Sequence, residues 1–167
     1  GILAYGAYVP HRRLARLSIA EVTGVDVGTG HRAVASFDED TTTMGVEAAR
    51  IAIAGQTPRP SALWFSTPAP AYLDKTNATI LHSALRLSAG VSALDFGGAP
   101  RSAMGALRTS FGGDGPTLVV ASDIRIGLAG GLDEAVGGDG ASAILVGSES
   151  DGPLLACYLG GASATAE

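Results

Sequence analysis

At 167 residues, 46% hydrophobic and 16% charged, the chain is long enough for one folded domain and too apolar for a disordered one. Its net charge of −5, with the arginines scattered, excludes the concentrated basic surface that a nucleic-acid backbone requires. No apolar stretch approaches the roughly 20 residues that span a bilayer, and the single cysteine, Cys157, excludes an internal disulfide and a cysteine-cluster zinc site.

In chain order, Ile2–Val9 is rich in strand formers and is closed by Pro10, which reads as a strand and not as a signal peptide. Ser18 and Glu21 fit a capping box, so a short helix is expected there. Glycines at 24, 28 and 30 mark a loop. Asp38–Thr43 supplies N-cap candidates and negative charge for a helix that carries Met44, Ala48, Ile51 and Ala52 and stops at Gly55. Prolines 58 and 60 punctuate before a buried strand at Ala62–Ser66. A loop over Thr67–Thr76 leads to a helix with Ile80, Leu81, Ala84, Leu85 and Leu87 on one side. Val91–Phe96 reads as a strand, and Pro100 suits the first turn of the helix that carries Ala103, Leu107 and Phe111. Strands are then expected at Thr117–Ala121, Ala141–Val146 and Leu154–Leu159.

Near-continuous apolar strands alternating with helices predict an α/β fold of order βαβαβαββ, with a mostly parallel sheet covered on both faces. Residues 1–167 read as one domain, expected to be cytoplasmic, with no tightly bound cofactor and no role at a membrane or on nucleic acid.

Several motifs fail on inspection. The glycine-rich stretch from Gly130 to Gly140 lacks the Gly-Lys-Ser/Thr ending of a phosphate loop. The first turn, Pro10-His11-Arg12-Arg13, is not a dinucleotide fingerprint. His11, His31 and His82 show no ligand spacing. Cys157 lies in an apolar run with no adjacent base, which reads as a buried structural thiol. Asp38-Glu39-Asp40 reads as a helix start rather than a metal site, and Arg12, Arg13 and Arg16 as a solvated helix face.

The segment from Arg32 to Asp40, followed by Thr43-Met44-Gly45-Val46-Glu47-Ala48-Ala49, resembles the early part of HMG-CoA synthases and of ketoacyl-ACP synthase III proteins. Asn77-Ala78-Thr79-Ile80, Ala121-Ser122-Asp123-Ile124 and Gly138-Asp139-Gly140-Ala141-Ser142-Ala143 resemble later motifs of the same thiolase superfamily, in family order. The resemblance covers essentially the whole chain and implies the N-terminal half of a thiolase fold.

Enzymes of this family hold an acyl group on a cysteine at a helix N-terminus, where the dipole lowers the thiol pKa. Laid on Asp95-Phe96-Gly97-Gly98-Ala99-Pro100, the family pattern puts Pro100 at the cysteine, with neither a thiol nor a backbone N–H for an oxyanion hole. The family glutamate falls at Pro68. The family histidine and asparagine belong to the absent C-terminal half. Ser102 is the substitute nucleophile to test, and Tyr72 and Tyr158 are candidate acid/base groups. Arg32 is the expected contact for the phosphates of a coenzyme A thioester substrate.

The resemblance therefore implies an acyl-CoA-handling protein without the usual cysteine, making or breaking carbon–carbon bonds by aldol-type chemistry or transferring acyl groups. The missing half, or a partner subunit that supplies it, is the expected companion in a homo- or hetero-oligomer. A zinc-ribbon and OB-fold protein is a further expected partner. The alternative is a non-catalytic structural or binding subunit, served by the small residues Ala99, Ser102, Gly105 and Ala106 on the helix after Pro100. An orthodox synthase would need another residue than Pro100 at the cysteine position.

Overall fold

The computed structural model describes residues 1–55, 59–129 and 131–164. Pro58, Gly130 and residues 165–167, all part of the sequence reading, lie outside the described residues.

The main sheet has five strands: β1 (Ile2–Tyr8), β4 (Ala62–Thr67), β5 (Ser92–Gly97), β6 (Thr117–Asp123) and β7 (Gly140–Val146), in the order β1-β7-β6-β4-β5. β4 runs parallel to both β5 and β6, and β7 runs antiparallel to β6 and β1, so four strands share one direction and β7 returns. Helices α2 (Thr41–Ile53), α3 (Asn77–Ala84) and α4 (Arg101–Ser110) follow the expected alternation.

Each helix starts for a local reason. Asp40 caps α2, accepting from the Thr43 N–H at 2.7 Å while the Thr43 hydroxyl accepts from the Asp40 N–H at 2.8 Å, a reciprocal capping box. Thr76 gives α3 no side-chain cap; Asp95, at the end of β5, takes the N–H groups of Asn77 and Ala78, each at 2.7 Å. Pro100 is the N-cap of α4, where a residue without an N–H leaves no donor stranded.

Strand alternation gives the sheet two unlike faces. One carries Ala4, Gly6, Leu63, Phe65, Leu118, Val120, Ala143 and Leu145, and α2 and α3 close over it to form the core with Ala48, Ala49, Ala52 and Leu81. Helix α2 comes so close to β1 that a Cβ at Gly6 would lie 2.3 Å from the Ala48 carbonyl oxygen. The other face is covered by α4, which packs on β4, β5 and β6 and buries only Ala106 and Ser110 of its own residues. Its flanks stay open: Tyr5 on β1 is 70% exposed and Leu94 on β5 51%.

Four expectations are corrected. Arg12 and Arg13 lie not on a helix but on β2 (Arg12–Ala15), which pairs with β3 (His31–Val34) in a separate antiparallel ribbon too short to show alternation. Helix α1 (Arg16–Thr23) begins before Ser18, because the Arg16 N–H is drawn to the Gly30 carbonyl at 2.9 Å as the ribbon closes. The segment Leu154–Leu159 forms no strand; after one bridge, Ile2 to Ala156, it turns so that Tyr158 stacks on Phe111 with ring centroids 4.2 Å apart. Cys157, on that surface segment, is exposed rather than buried. A short helix, α5 (Leu132–Val136), was not foreseen inside the glycine-rich stretch.

Candidate active site

In open α/β sheets, ligands collect at the carboxyl ends of the parallel strands. Here the ends of β4 and β6, the start of β7 and the first turn of α4 enclose a cavity of about 320 Å³, lined by Ser66, Pro68, Pro100, Ala103, Asp123 and Ser142 among others. The two prolines that the sequence reading placed at chemical positions, 32 residues apart in the chain, therefore meet in one pocket. Pro100 brings no N–H to it.

The polar groups arrive by register. Ser66 sits opposite Ala121, and Ala121 opposite Ser142, so the three project side by side from the α4 face of the sheet. Ser66 is 3% exposed and lines the pocket; Ser122, on the neighbouring strand, also lines it and carries a buried hydroxyl with no hydrogen-bond partner among the described residues. Asp123, two residues beyond Ala121, shares that face. Burial pushes its carboxyl above the usual aspartate range, although Arg125 pulls the other way with its Nε 2.7 Å from Oδ2.

Ser102, the substitute nucleophile, donates to the Gly97 carbonyl at 2.8 Å, a contact that fastens the first turn of α4 to the end of β5. Tyr72 lies under the Lys75 ammonium at 3.8 Å, and Tyr158 is stacked on Phe111; neither lines this pocket. His11 and His31 are exposed, and the His82 ring meets the Ser88 carbonyl at 3.0 Å.

Arg32 is buried, at 7% exposure, below the loop that follows β6. Its guanidinium donates to the carbonyls of Glu134 and Arg125, each at 2.7 Å, and lies 3.3 Å from Asp139 Oδ1. Asp139 also accepts from the N–H groups of Ala35 at 2.8 Å and Arg125 at 2.9 Å. This carboxylate and guanidinium fix one wall of the pocket, because Gly138 and Gly140 on either side of Asp139 line it. At the start of α2, the Tyr8 hydroxyl donates to Glu39, which also takes the Ser36 N–H at 2.6 Å. The tyrosine bond, then the backbone one, holds the Glu39 carboxyl below the usual glutamate range and in turn raises the Tyr8 phenol.

A larger cavity, about 740 Å³, lies between the outer side of α4 and residues 160–164, lined by Arg101, Met104, Arg108, Phe111 and Tyr158. It shares no lining residue with the pocket at the strand ends.

Sequence reasoning named Ser66 only as a strand end and Asp123 only as part of a motif. The signal that would have found them is parity: residues of one parity in two neighbouring strands share a face, and the last of them face whatever sits at the strand ends.

No family model matches the chain. It is 34% identical over 160 residues to the hydroxymethylglutaryl-CoA synthase of Pyrococcus furiosus, a match over 90% of this chain and 46% of that protein. The chain is a thiolase-fold relative of HMG-CoA synthase. The corresponding protein of Aeropyrum pernix is 38% identical over 88% of this chain and 45% of its own length. This HMG-CoA synthase relative thus spans less than half the length of the curated proteins it matches. Among solved structures, an HMG-CoA synthase from Bacillus subtilis superposes with a TM-score of 0.74 at 24% identity, over 88% of this chain and 40% of that one. The β-ketoacyl-[acyl carrier protein] synthase III of Thermus thermophilus gives 0.71 at 24%, over 89% and 51%. At such identities the superpositions speak for the thiolase-like fold alone.

Proposed function

We propose that this HMG-CoA synthase relative is an acyl-CoA-handling protein that works, with a companion supplying the other half of the fold, without a cysteine nucleophile. The observation that carries this reading is the pocket itself. It lies at the strand ends beneath the first turn of α4, and Pro100 and Pro68 stand at its rim where the resemblance puts the family cysteine and glutamate. Proline offers no thiolate, so an acyl-enzyme cannot form there. Aldol-type chemistry on a thioester asks only for groups that hold and move protons, and hydroxyl and carboxyl groups are what the pocket presents.

The need for a companion is supported by the α4 face. Tyr5, Leu94 and Met104 leave apolar surface on both sides of a helix whose own residues are mostly uncovered, an arrangement that favours burial against another layer. Residues 1–167 are then one half of a larger unit, and a homo- or hetero-oligomer is expected, with a zinc-ribbon and OB-fold protein as a further associate. Coenzyme A thioesters are proposed as substrates; one neighbour of the same fold is an HMG-CoA synthase complexed with CoA, at a TM-score of 0.76.

A second reading follows from the same proline. A thiolase-fold half with no thiol and no N–H at this place would also serve as a non-catalytic subunit that supplies only the fold and an interface. Native mass spectrometry of the protein from its own source, with denaturing masses of each component, separates the two when joined to an assay of 3-hydroxyacyl-CoA cleavage. A co-purifying thiolase-fold half and turnover are expected. A complex without turnover would establish the structural reading, and a chain found only with copies of itself would end the catalytic one.

A further inference from the structure

A charged cavity lies at the opposite end of the sheet. The C-terminal ends of α2 and α3 and the approach to β4 enclose about 430 Å³, with Arg50, Arg59 and Arg86 set around Ile53, Ala84 and Leu85. The six-residue strand β4 runs from this end of the sheet to the other, so the cavity is roughly 20 Å from the pocket that Ser66 lines.

Three guanidiniums gathered in one cavity are unexpected in a chain of net charge −5. No carboxylate lines the cavity. Arg50 gives one Nη to Glu47, one turn back on the exposed side of α2, and the side chains of Arg59 and Arg86 have no partner among the described residues. Arginine at a helix C-terminus ordinarily offsets the negative end of the dipole, about half a charge per helix. Here the three positive charges exceed both helix ends and Glu47 together, and the cavity stays positive.

Arg86 is placed there against the preference of the backbone. Helix α3 ends in a Schellman turn: the Arg86 N–H reaches the Ser83 carbonyl and the Leu87 N–H the His82 carbonyl, each at 3.1 Å. That turn sets Arg86 at a φ of 53°, a conformation glycine adopts most easily, and Arg86 is the only residue other than glycine with a positive φ among the described residues. The turn accounts for the backbone and not for the side chain.

A guanidinium fork matches the paired oxygens of a phosphate or a carboxylate. A phosphomonoester brings up to two negative charges and three acceptor oxygens, which suits three guanidiniums better than the single charge of a carboxylate. Inorganic phosphate alone would leave Ile53 and Leu85 uncovered. We infer that this cavity binds a small organic phosphate, with Arg59 and Arg86 on the phosphate, Arg50 beside it and the organic body lying on Ile53 and Leu85. The site is independent of the acyl-CoA reading.

Isothermal titration of the chain with phenyl phosphate, inorganic phosphate and benzoate is the test. Phenyl phosphate should bind about tenfold tighter than either of the others, and more weakly as salt is raised from about 20 to about 200 mM. R59A and R86G should each weaken it at least tenfold, roughly the worth of one hydrogen bond to a charged group. R86G should melt no earlier than the parent, because glycine suits the turn. An R86G that melts earlier would give Arg86 to the helix end, and R59A, outside any helix or strand, then decides. Absence of phenyl phosphate binding, or affinity unchanged in R59A and R86G, overturns the site. Benzoate binding as tightly overturns the choice of phosphate, and inorganic phosphate binding as tightly overturns the organic body.

Discussion

The two faces of the sheet obey different rules. Under α2 and α3, alanines and glycines let helix and strand backbones approach closely, and Phe65, Leu63, Leu81, Leu118 and Leu145 fill the remaining space with no exposure above 1%. Under α4, the strands present Tyr5, Trp64, Ser66, Val119, Leu94 and Ser142, a mixture of aromatic, aliphatic and hydroxyl groups that one ten-residue helix covers only at its centre. The first face is a finished core. The second is buried at its centre, at Ser66 and Val119, and open at its flanks, at Tyr5 and Leu94. The closed core of this protein lies on one side of the sheet, and the candidate site on the other.

Substitutions can break or sharpen that contrast. The largest effect is expected from Phe65→Ala, which opens a cavity in the closed face and should cost about 3–5 kcal/mol in urea unfolding. Gly6→Ala should follow at about 1–3 kcal/mol, because the new Cβ meets backbone of α2 and not a side chain that can swing aside. Asp95→Ala leaves two N–H groups at the start of α3 without their acceptor and should cost about 1–2 kcal/mol, seen as early hydrogen exchange at Asn77 and Ala78.

Tyr8→Phe is a smaller perturbation, about 1 kcal/mol near neutral pH, since both partners are only partly buried. Its pH dependence has a definite sign. Glu39 has a lowered pKa, so its contribution is complete above the ordinary glutamate value of 4.5 and is lost as pH falls through the lower folded-state value. Tyr8 has a raised pKa, so its contribution is complete below the ordinary value of 10.0 and declines as pH rises past it. Parent and variant should therefore converge in stability at both ends of the pH scale and differ most between them. Met104→Ala, on the open face, should change stability of the isolated chain by less than about 0.5 kcal/mol. A cost of several kcal/mol there would mean that the outer side of α4 is covered in solution by a second copy of the chain.

What the sequence made legible follows the same division. The strands and helices of the closed face carry their period in apolar residues, and β1, β4, β6, β7, α2 and α3 begin within two residues of where that pattern puts them. The ribbon of β2 and β3 and the short α5 carry no such period. They are held by tertiary bonds, the Gly30 carbonyl and the Arg32 guanidinium, that pair residues 14 to 102 positions apart in sequence. For the site, Pro68 and Pro100 were legible because an absence is visible against a pattern. Ser66 was not, because an ordinary serine at a strand end says nothing until the pairing of β4, β6 and β7 shows which way it points.

Asp139 gives the loop after β6 an unusual dependence. The start of that loop exposes Ile126 and Leu128; it is held at Arg125 by the Asp139 carboxylate, which also takes the Ala35 N–H, and by the Arg32 guanidinium, which takes the Arg125 carbonyl. Two stretches of chain separated by some ninety residues are thus fastened to each other through one ion pair, Asp139 with Arg32. They can let go only together, so the amides of Ala35 and Arg125 should exchange with solvent as one cooperative opening, at a free energy below that of the core. The pocket wall at Gly138 and Gly140 would loosen in the same event.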